Sequence, residues 1–392
     1  MIFQLEFRFW LCALAIFVLV RLRPPVRPST WFALLNLVAV YLLLGLRATM
    51  LISGFSALLW LCLFIARKQN GRVAGTVLVF VATIGIGLGV IWQKALFEFV
   101  QTGATVPLPW SLRLLALISF SYVALRAWDA VAAVRDGAPL LDPLALSGYL
   151  APFFMMPAGP VNVYREHIEV DARGGFSVPD WGEFLDGIEA IITGLFLKFV
   201  VADLIRLFVV GVNGDWPSVT LADTFISFIY IFLDFAGYSL IALGIGRLIG
   251  IPTPANFNRP FRATSLTDFW SRWHMSLGDW VRRHIYLPLQ LTFMRRFSGG
   301  SEYIVNAISL MVAFTFVGLW HRFTLPFLIW GVLFGCILAI EKYVRDTVGM
   351  RMLEKRPELS RWLGFVGPLY VLATVVAMLH LTAMQQMVGS TR

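Results

Sequence analysis

Apolar residues run in long continuous blocks along this chain, separated by short clusters of basic, proline and asparagine residues. Candidate runs fall at roughly 3–20, 31–46, 49–66, 73–93, 110–128, 143–157, 188–209, 220–233, 235–250, 303–320, 325–340 and 363–385. A helix that spans a bilayer needs about 20 mostly apolar residues. Most of these runs meet that length, and a few, such as 143–157, are short enough to be re-entrant or tilted. Backbone facing lipid must satisfy its own hydrogen bonds, and continuous rather than alternating runs select helices over barrel strands. The pattern therefore predicts an all-α polytopic membrane protein of about 10–12 membrane helices, with re-entrant or amphipathic helices besides, organised as one domain over 1–392.

Composition agrees. Of the 392 residues, 58% are hydrophobic and only 14% charged, with a mean hydropathy of +0.76. Soluble domains carry about 25% charged residues, and a water-soluble globule would leave too much apolar surface exposed. The net charge of +9 does not point to nucleic acid, because the basic residues cluster between apolar runs, as in cytoplasmic loops facing anionic lipid. Arg21, Arg23 and Arg27 follow the first run and Arg67, Lys68 and Arg72 the third, which places both loops in the cytoplasm and the N-terminus outside. Glu6 and Arg8 interrupt the first run and no small-residue cleavage site follows it, so it reads as an uncleaved span. Cys12, Cys62 and Cys336 lie inside apolar runs and define neither a disulfide framework nor a metal site.

Residues 251–302 stand apart: rich in arginine, proline, asparagine and tryptophan, without a spanning run. Ser265 followed by Asp268 reads as a helix start. On a helix at 100° per residue, Trp270, Trp273, Leu277, Trp280 and Val281 form one stripe. Asp268–Arg272 and Asp279–Arg283 are i,i+4 pairs on the other face. A single amphipathic helix is expected. His274 falls inside its aromatic stripe, either as a core histidine bonded to a carbonyl or as a catalytic or substrate-orienting imidazole. His284 sits beside Arg282 and Arg283 and reads as a surface or interface residue.

Upstream, Asp234 lies within an apolar block, where an acid is expensive. It is either a functional carboxylate or one paired locally, with Arg247 as a candidate. Gly244, Gly246 and Gly250 read as small residues for close helix packing rather than a nucleotide loop. Asn256 and Asn258, beside Pro260, favour a turn and otherwise offer amides to a polar substrate group. His321 has apolar runs on both sides, and burial would keep its imidazole neutral, as a general base requires. Neither a metal motif nor a G-x-S-x-G hydrolase motif is present.

Four stretches resemble one known family: Phe232–Leu240, Gly250–Phe261, Asp268–Leu277 and Gly318–His321. They are similar to the membrane-bound O-acyltransferase (MBOAT) family, in its bacterial DltB/AlgI-like branch. Weaker agreement at Pro157–Arg165 and Gly194–Asp203 extends the resemblance over about 145–335. The resemblance implies a helical ring around a central tunnel, with His321 as the main catalytic residue and His274 as a second. It further implies acyl transfer, acetyl or D-alanyl, from a cytoplasmic thioester donor to a hydroxyl of an extracytoplasmic cell-envelope glycopolymer. The donor would be an acyl carrier protein or acetyl-CoA, acting as co-substrate with no permanently bound cofactor or metal. Asp234, Asn256, Asn258 and Arg272 are the candidate substrate-binding residues. The lipid bilayer of a bacterial inner membrane is the expected setting, with a carrier protein and an extracytoplasmic acyltransferase as possible partners and no nucleic acid. Arg322 stands where the family commonly has glycine, Phe334 where a further histidine is usual, and Arg283 where an acid is usual. A polytopic transporter or flippase, or a non-catalytic scaffold for an envelope-modifying partner, is the alternative.

Overall fold

The computed structural model describes residues 6–22, 26–68, 119–156, 158–173, 175–176, 179–210, 221–296 and 302–349. The runs at 73–93 and 363–385, and the start of 110–128, lie outside the described residues. The described residues are helical, with no strand among them beyond one isolated bridge. Among the described residues, four helical stretches are long and apolar enough to cross a membrane: Leu46–Lys68, Phe225–Ile249, Glu302–His321 and Leu325–Thr347. Shorter apolar helices lie at Phe7–Leu19, Pro28–Leu44 and Pro143–Met155. The chain packs as two compact units, one of residues 1–195 with 238–254, the other of 196–237 with 255–392.

In the first unit, α1 (Phe7–Leu19), α2 (Pro28–Leu44) and α3 (Leu46–Lys68) are followed by α4 (Phe120–Arg135), α5 (Pro143–Leu150), α6 (Tyr164–Ala172) and α7 (Trp181–Phe196). α1 buries Phe9, Cys12, Ala13 and Ile16, the three-and-four spacing of one helical face. Asp142 caps α5 by accepting from the Leu144 and Ala145 amides at 3.0 and 2.9 Å, and Pro143 opens its first turn. α5 has only eight residues and gives way to a 3₁₀ turn at Phe153–Met155, so the short run does not continue as one α-helix. Its freed backbone groups are satisfied by two fully buried side chains. Asn36 donates to the Ala151 carbonyl (2.9 Å) and accepts from the Phe153 amide (2.7 Å). Arg126 donates to the carbonyls of Leu150 (3.1 Å) and Pro160 (2.9 Å). Irregular backbone at membrane depth is tolerated only where protein supplies such partners.

The glycines near 244 serve helix packing, as the sequence suggests: a methyl on Gly244 would lie 2.5 Å from the Gly187 carbonyl oxygen. Gly250 (φ +86°) ends the helix with its own and the Ile251 amide donating to the Gly246 carbonyl, both at 2.8 Å.

The second unit contains a π-helical turn at Leu197–Ala202, α8 (Asp203–Val210), the first part of α9 (Leu221–Ile249), then α10 (Leu266–Arg272), α11 (Met275–Val281), α12 (Leu287–Arg296), α13 (Glu302–His321) and α14 (Leu325–Val344). The two apolar runs at 220–233 and 235–250 are one continuous helix, α9. Asp234 between them does not interrupt it, because its carboxylate is paired with the Lys198 ammonium of the π-helical turn rather than with Arg247.

Aromatic packing builds this unit's core: Phe228, Leu266, Phe269, Trp330, Phe334 and Leu338 are buried together, with Trp270, Trp273 and Phe314 against them. Ser265 caps α10 as expected, its hydroxyl accepting from the Asp268 amide at 3.0 Å. Glu341 of α14 caps the same helix, accepting from the Leu266 amide (2.8 Å), the Thr267 amide (3.1 Å) and the Thr267 hydroxyl (2.9 Å). Glu341→Ala is therefore expected to cost roughly 1–3 kcal/mol through the unsatisfied donors it leaves. Thermal unfolding of the purified protein in detergent measures this, and an unchanged midpoint would contradict the capping role.

Candidate active site

The single amphipathic helix expected over the Trp-His motif is two helices. α10 stops at Arg272 and α11 starts at Met275, with His274 between them in the left-handed region (φ 45°, ψ 51°). A side chain other than glycine pays roughly 1–2 kcal/mol to adopt it. Pairing with a distant loop holds it there. The Asn258 amide donates to the Arg272 carbonyl (3.0 Å), the Met275 amide donates to the Asn256 carbonyl (2.9 Å), and Phe257 bridges Trp273 antiparallel. The backbone groups released by the helix break are thus matched by residues 256–258.

His274 is 6% exposed. Its ring packs edge-on to Phe235 (centroids 4.8 Å) and to Trp320 (6.3 Å, 84° between planes). Burial pushes its pKa down to about 3, and the nearby His321 adds to the shift, so this imidazole stays neutral at ordinary pH. His321 is the last residue of α13, its ring 5.0 Å from Trp320 and 6.4 Å from Trp330. It is exposed, not buried by protein as its apolar surroundings in sequence suggested. The helix ends at this residue, and the three-residue link to α14 does not cover the ring. Trp320 thus contacts both imidazoles, and both line one cavity of about 430 Å³ within the second unit.

The cavity runs along α13. His321 lies at the helix C-terminus, and Asn306, also in the lining, lies fifteen positions earlier, about 22 Å along the axis. Asn306 accepts from the Tyr286 hydroxyl at 2.5 Å. α14 returns antiparallel, with Tyr343 5.0 Å from Tyr303, so Lys342 and Arg345, which also line the cavity, lie at the end away from His321. There Lys342 and Arg345 share Asp346 at 3.0 and 3.6 Å.

The other candidates lie outside the lining. Asp234 is held by Lys198. Asn256, 2% exposed, accepts from the Ser276 hydroxyl at 2.6 Å and so anchors the start of α11. Asn258 is exposed and contributes its backbone to the helix break. Arg272 pairs with Asp268 at 2.7 Å, the i,i+4 partner expected for it. His284 packs against Trp280 with the rings tilted, centroids 4.9 Å apart. Phe334, standing where a histidine is usual in the family, is fully buried against Trp270 and Trp330. Sequence reasoning did not single out Trp320, Asn306, Lys342 or Arg345. Its place in the Gly318–His321 stretch, beside His321, was the sequence signal for Trp320. Among the described residues no group of three histidine, cysteine or acidic side chains is placed to hold a metal.

A helix break carrying one histidine, packed beside a helical hairpin carrying another, defines a site with two imidazoles. Residues 218–379, which include both histidines, match the family model of MBOAT, the membrane-bound O-acyltransferase family. The chain is similar to the "Teichoic acid D-alanyltransferase" of Bacillus subtilis, 28% identical over 242 residues, covering 59% of this chain and 61% of that protein. It is similar to the "Peptidoglycan O-acetyltransferase" of Helicobacter pylori, 33% identical over 227 residues, covering 53% and 41%. A third relative is the "Probable alginate O-acetylase AlgI" of Azotobacter vinelandii, 30% identical over 208 residues, covering 51% and 38%. The chain thus spans less than two thirds of each of these relatives.

Proposed function

We propose that this protein is an integral-membrane O-acyltransferase of a bacterial inner membrane. It moves an acetyl or D-alanyl group from a cytoplasmic thioester donor, on coenzyme A or an acyl carrier protein, to a hydroxyl of an extracytoplasmic cell-envelope glycopolymer. The observation that carries this reading is the single cavity lined by both His274 and His321. The relatives' names, which pair acyl transfer with envelope polymers, support the substrate class.

In the reaction, one ring nitrogen of His321 accepts the proton of the acceptor hydroxyl as its oxygen attacks the thioester carbonyl. The tetrahedral intermediate collapses with cleavage of the C–S bond, and the His321 imidazolium returns the proton to the leaving thiolate. His274, neutral and buried, donates a hydrogen bond to the developing oxyanion. Losing one such donor costs about 3–4 kcal/mol of transition-state stabilisation. The apolar cavity wall of Trp270, Phe314 and Val317 excludes water from the thioester. Arg282, Lys342 and Arg345 at the far end offer cations to donor phosphates.

Mass spectrometry of envelope glycans from cells with and without the protein tests this reading. Loss of ester-linked acyl groups is expected, and unchanged acyl content with altered polymer export would favour a transporter instead. The His274 role has its own test. Asparagine tolerates the left-handed backbone, so His274→Asn is expected to fold normally and lower turnover by about 100-fold or more. Full activity would reduce His274 to a packing residue.

A further inference from the structure

A second cavity lies in the first unit, and the reaction makes no use of it. It measures about 800 Å³ and opens between the start of α2, the last two turns of α3 and the link into α5. Three exposed cations line it: Arg27, which precedes α2, and Arg67 and Lys68, which end α3. Among the described residues none of the three forms an ion pair. The one carboxylate in the lining is already engaged. Asp142 caps α5 through one oxygen and accepts from the Thr30 hydroxyl, at 2.5 Å, through the other. Its charge is thereby directed into the α5 N-terminus, leaving the cleft cationic.

The α3 surface preceding its two terminal cations is aromatic and tethered in place. Trp60 and Phe64 stack with centroids 4.9 Å apart and planes 15° apart, and the Trp60 indole nitrogen donates to the Leu141 carbonyl at 3.0 Å. The Lys68 ammonium sits 4.7 Å over the Phe64 ring. α3 is long and apolar enough to span a bilayer, so its last turn lies at a membrane surface. The clustering of basic residues assigns that surface to the cytoplasm. A pocket with cations at the rim and an aromatic wall below, at this depth, has the chemistry of an anionic-lipid site.

We propose that this cleft binds an anionic phospholipid, its phosphodiester headgroup held by Arg27, Arg67 and Lys68 and its acyl chain lying along Trp60 and Phe64. The site is separate from the acyl-transfer cavity and does not depend on the reaction assigned to it.

Thermal unfolding of the full chain in neutral detergent, titrated with dioleoylphosphatidylglycerol, tests the proposal. A saturable rise in midpoint about 4 °C above that given by dioleoylphosphatidylcholine is expected. The R27Q/R67Q/K68Q variant is expected to lose at least half of that excess, and the R27K/R67K variant to keep it. Equal responses to the two lipids, or a parent-like response of the triple variant, would overturn the proposal. So would inorganic phosphate alone reproducing the shift, since the occupant would then be free phosphate. If the triple variant fails to fold, native mass spectrometry of Lys68→Gln replaces it. Several-fold less retained phosphatidylglycerol than in the parent supports the site, and equal retention overturns it.

Discussion

Replacing His321 by alanine is expected to lower acyl transfer by about 10²–10⁴-fold, the contribution of a positioned general base. The position suits the experiment. His321 is exposed at the end of α13, so its removal leaves no cavity in the core and fold stability should change by less than about 0.5 kcal/mol. The loss should fall on kcat, with the KM for the thioester donor little changed, because the donor phosphates are assigned to the opposite end of the cavity. Purified parent and His321→Ala proteins, compared for transfer from a thioester to a glycan acceptor at matched thermal stability, measure this. Parent-like turnover would remove His321 as the base.

The second large effect is on the α13–α14 hairpin that carries that histidine. A methyl on Gly331 would meet the Phe314 carbonyl oxygen at 2.5 Å and the Thr315 Cα at 2.7 Å. A methyl on Gly318 would meet the Phe327 carbonyl oxygen at 2.2 Å, and one on Gly335 the Met311 Cα at 2.6 Å. All three obstacles are backbone, so no side chain can swing aside and the helices must separate. Close approach through small residues is the main way helices associate in lipid. Gly331→Ala is therefore expected to cost about 1–3 kcal/mol, seen as a lower unfolding midpoint in detergent. It should also reduce turnover, since Gly318 lies one turn before His321. Gly54 of α3 provides the control. Nothing lies within 4 Å of its added methyl, so Gly54→Ala should be neutral or stabilising by up to about 1 kcal/mol. Equal behaviour of the two alanine variants would refute the close-packing account.

Much of this was legible from local pattern. Continuous apolar runs marked the membrane helices, the Ser265 cap and the Asp268–Arg272 pair follow from short spacings, and the glycines around 244 announced helix contact. The motifs between Phe232 and His321 carried the resemblance to the MBOAT family, whose model matches residues 218–379. What escaped the pattern depends on partners distant in sequence. The break at His274 is imposed by backbone bonds from residues 256–258, which no helical periodicity reveals. The partner of Asp234 is Lys198, thirty-six positions away, so a helix expected to divide at the acid runs through it. His321 lies between apolar runs yet is exposed, because flanking hydropathy does not say which way a helix end faces. The cations at the far end of the cavity became visible only once α14 was seen to fold back along α13.

The arrangement around His274 fixes the ring's aim by chain length as much as by residue type. The loop at 256–258 and the break at 273–274 are clamped together, so the intervening segment is a closed span whose ends are already spoken for. Deleting or inserting one residue between 259 and 271 would rotate the imidazole away from Trp320 even with every side chain at the site retained. Evolution or design seeking new acceptors in this scaffold has freedom in the surfaces beyond that span, and very little within it.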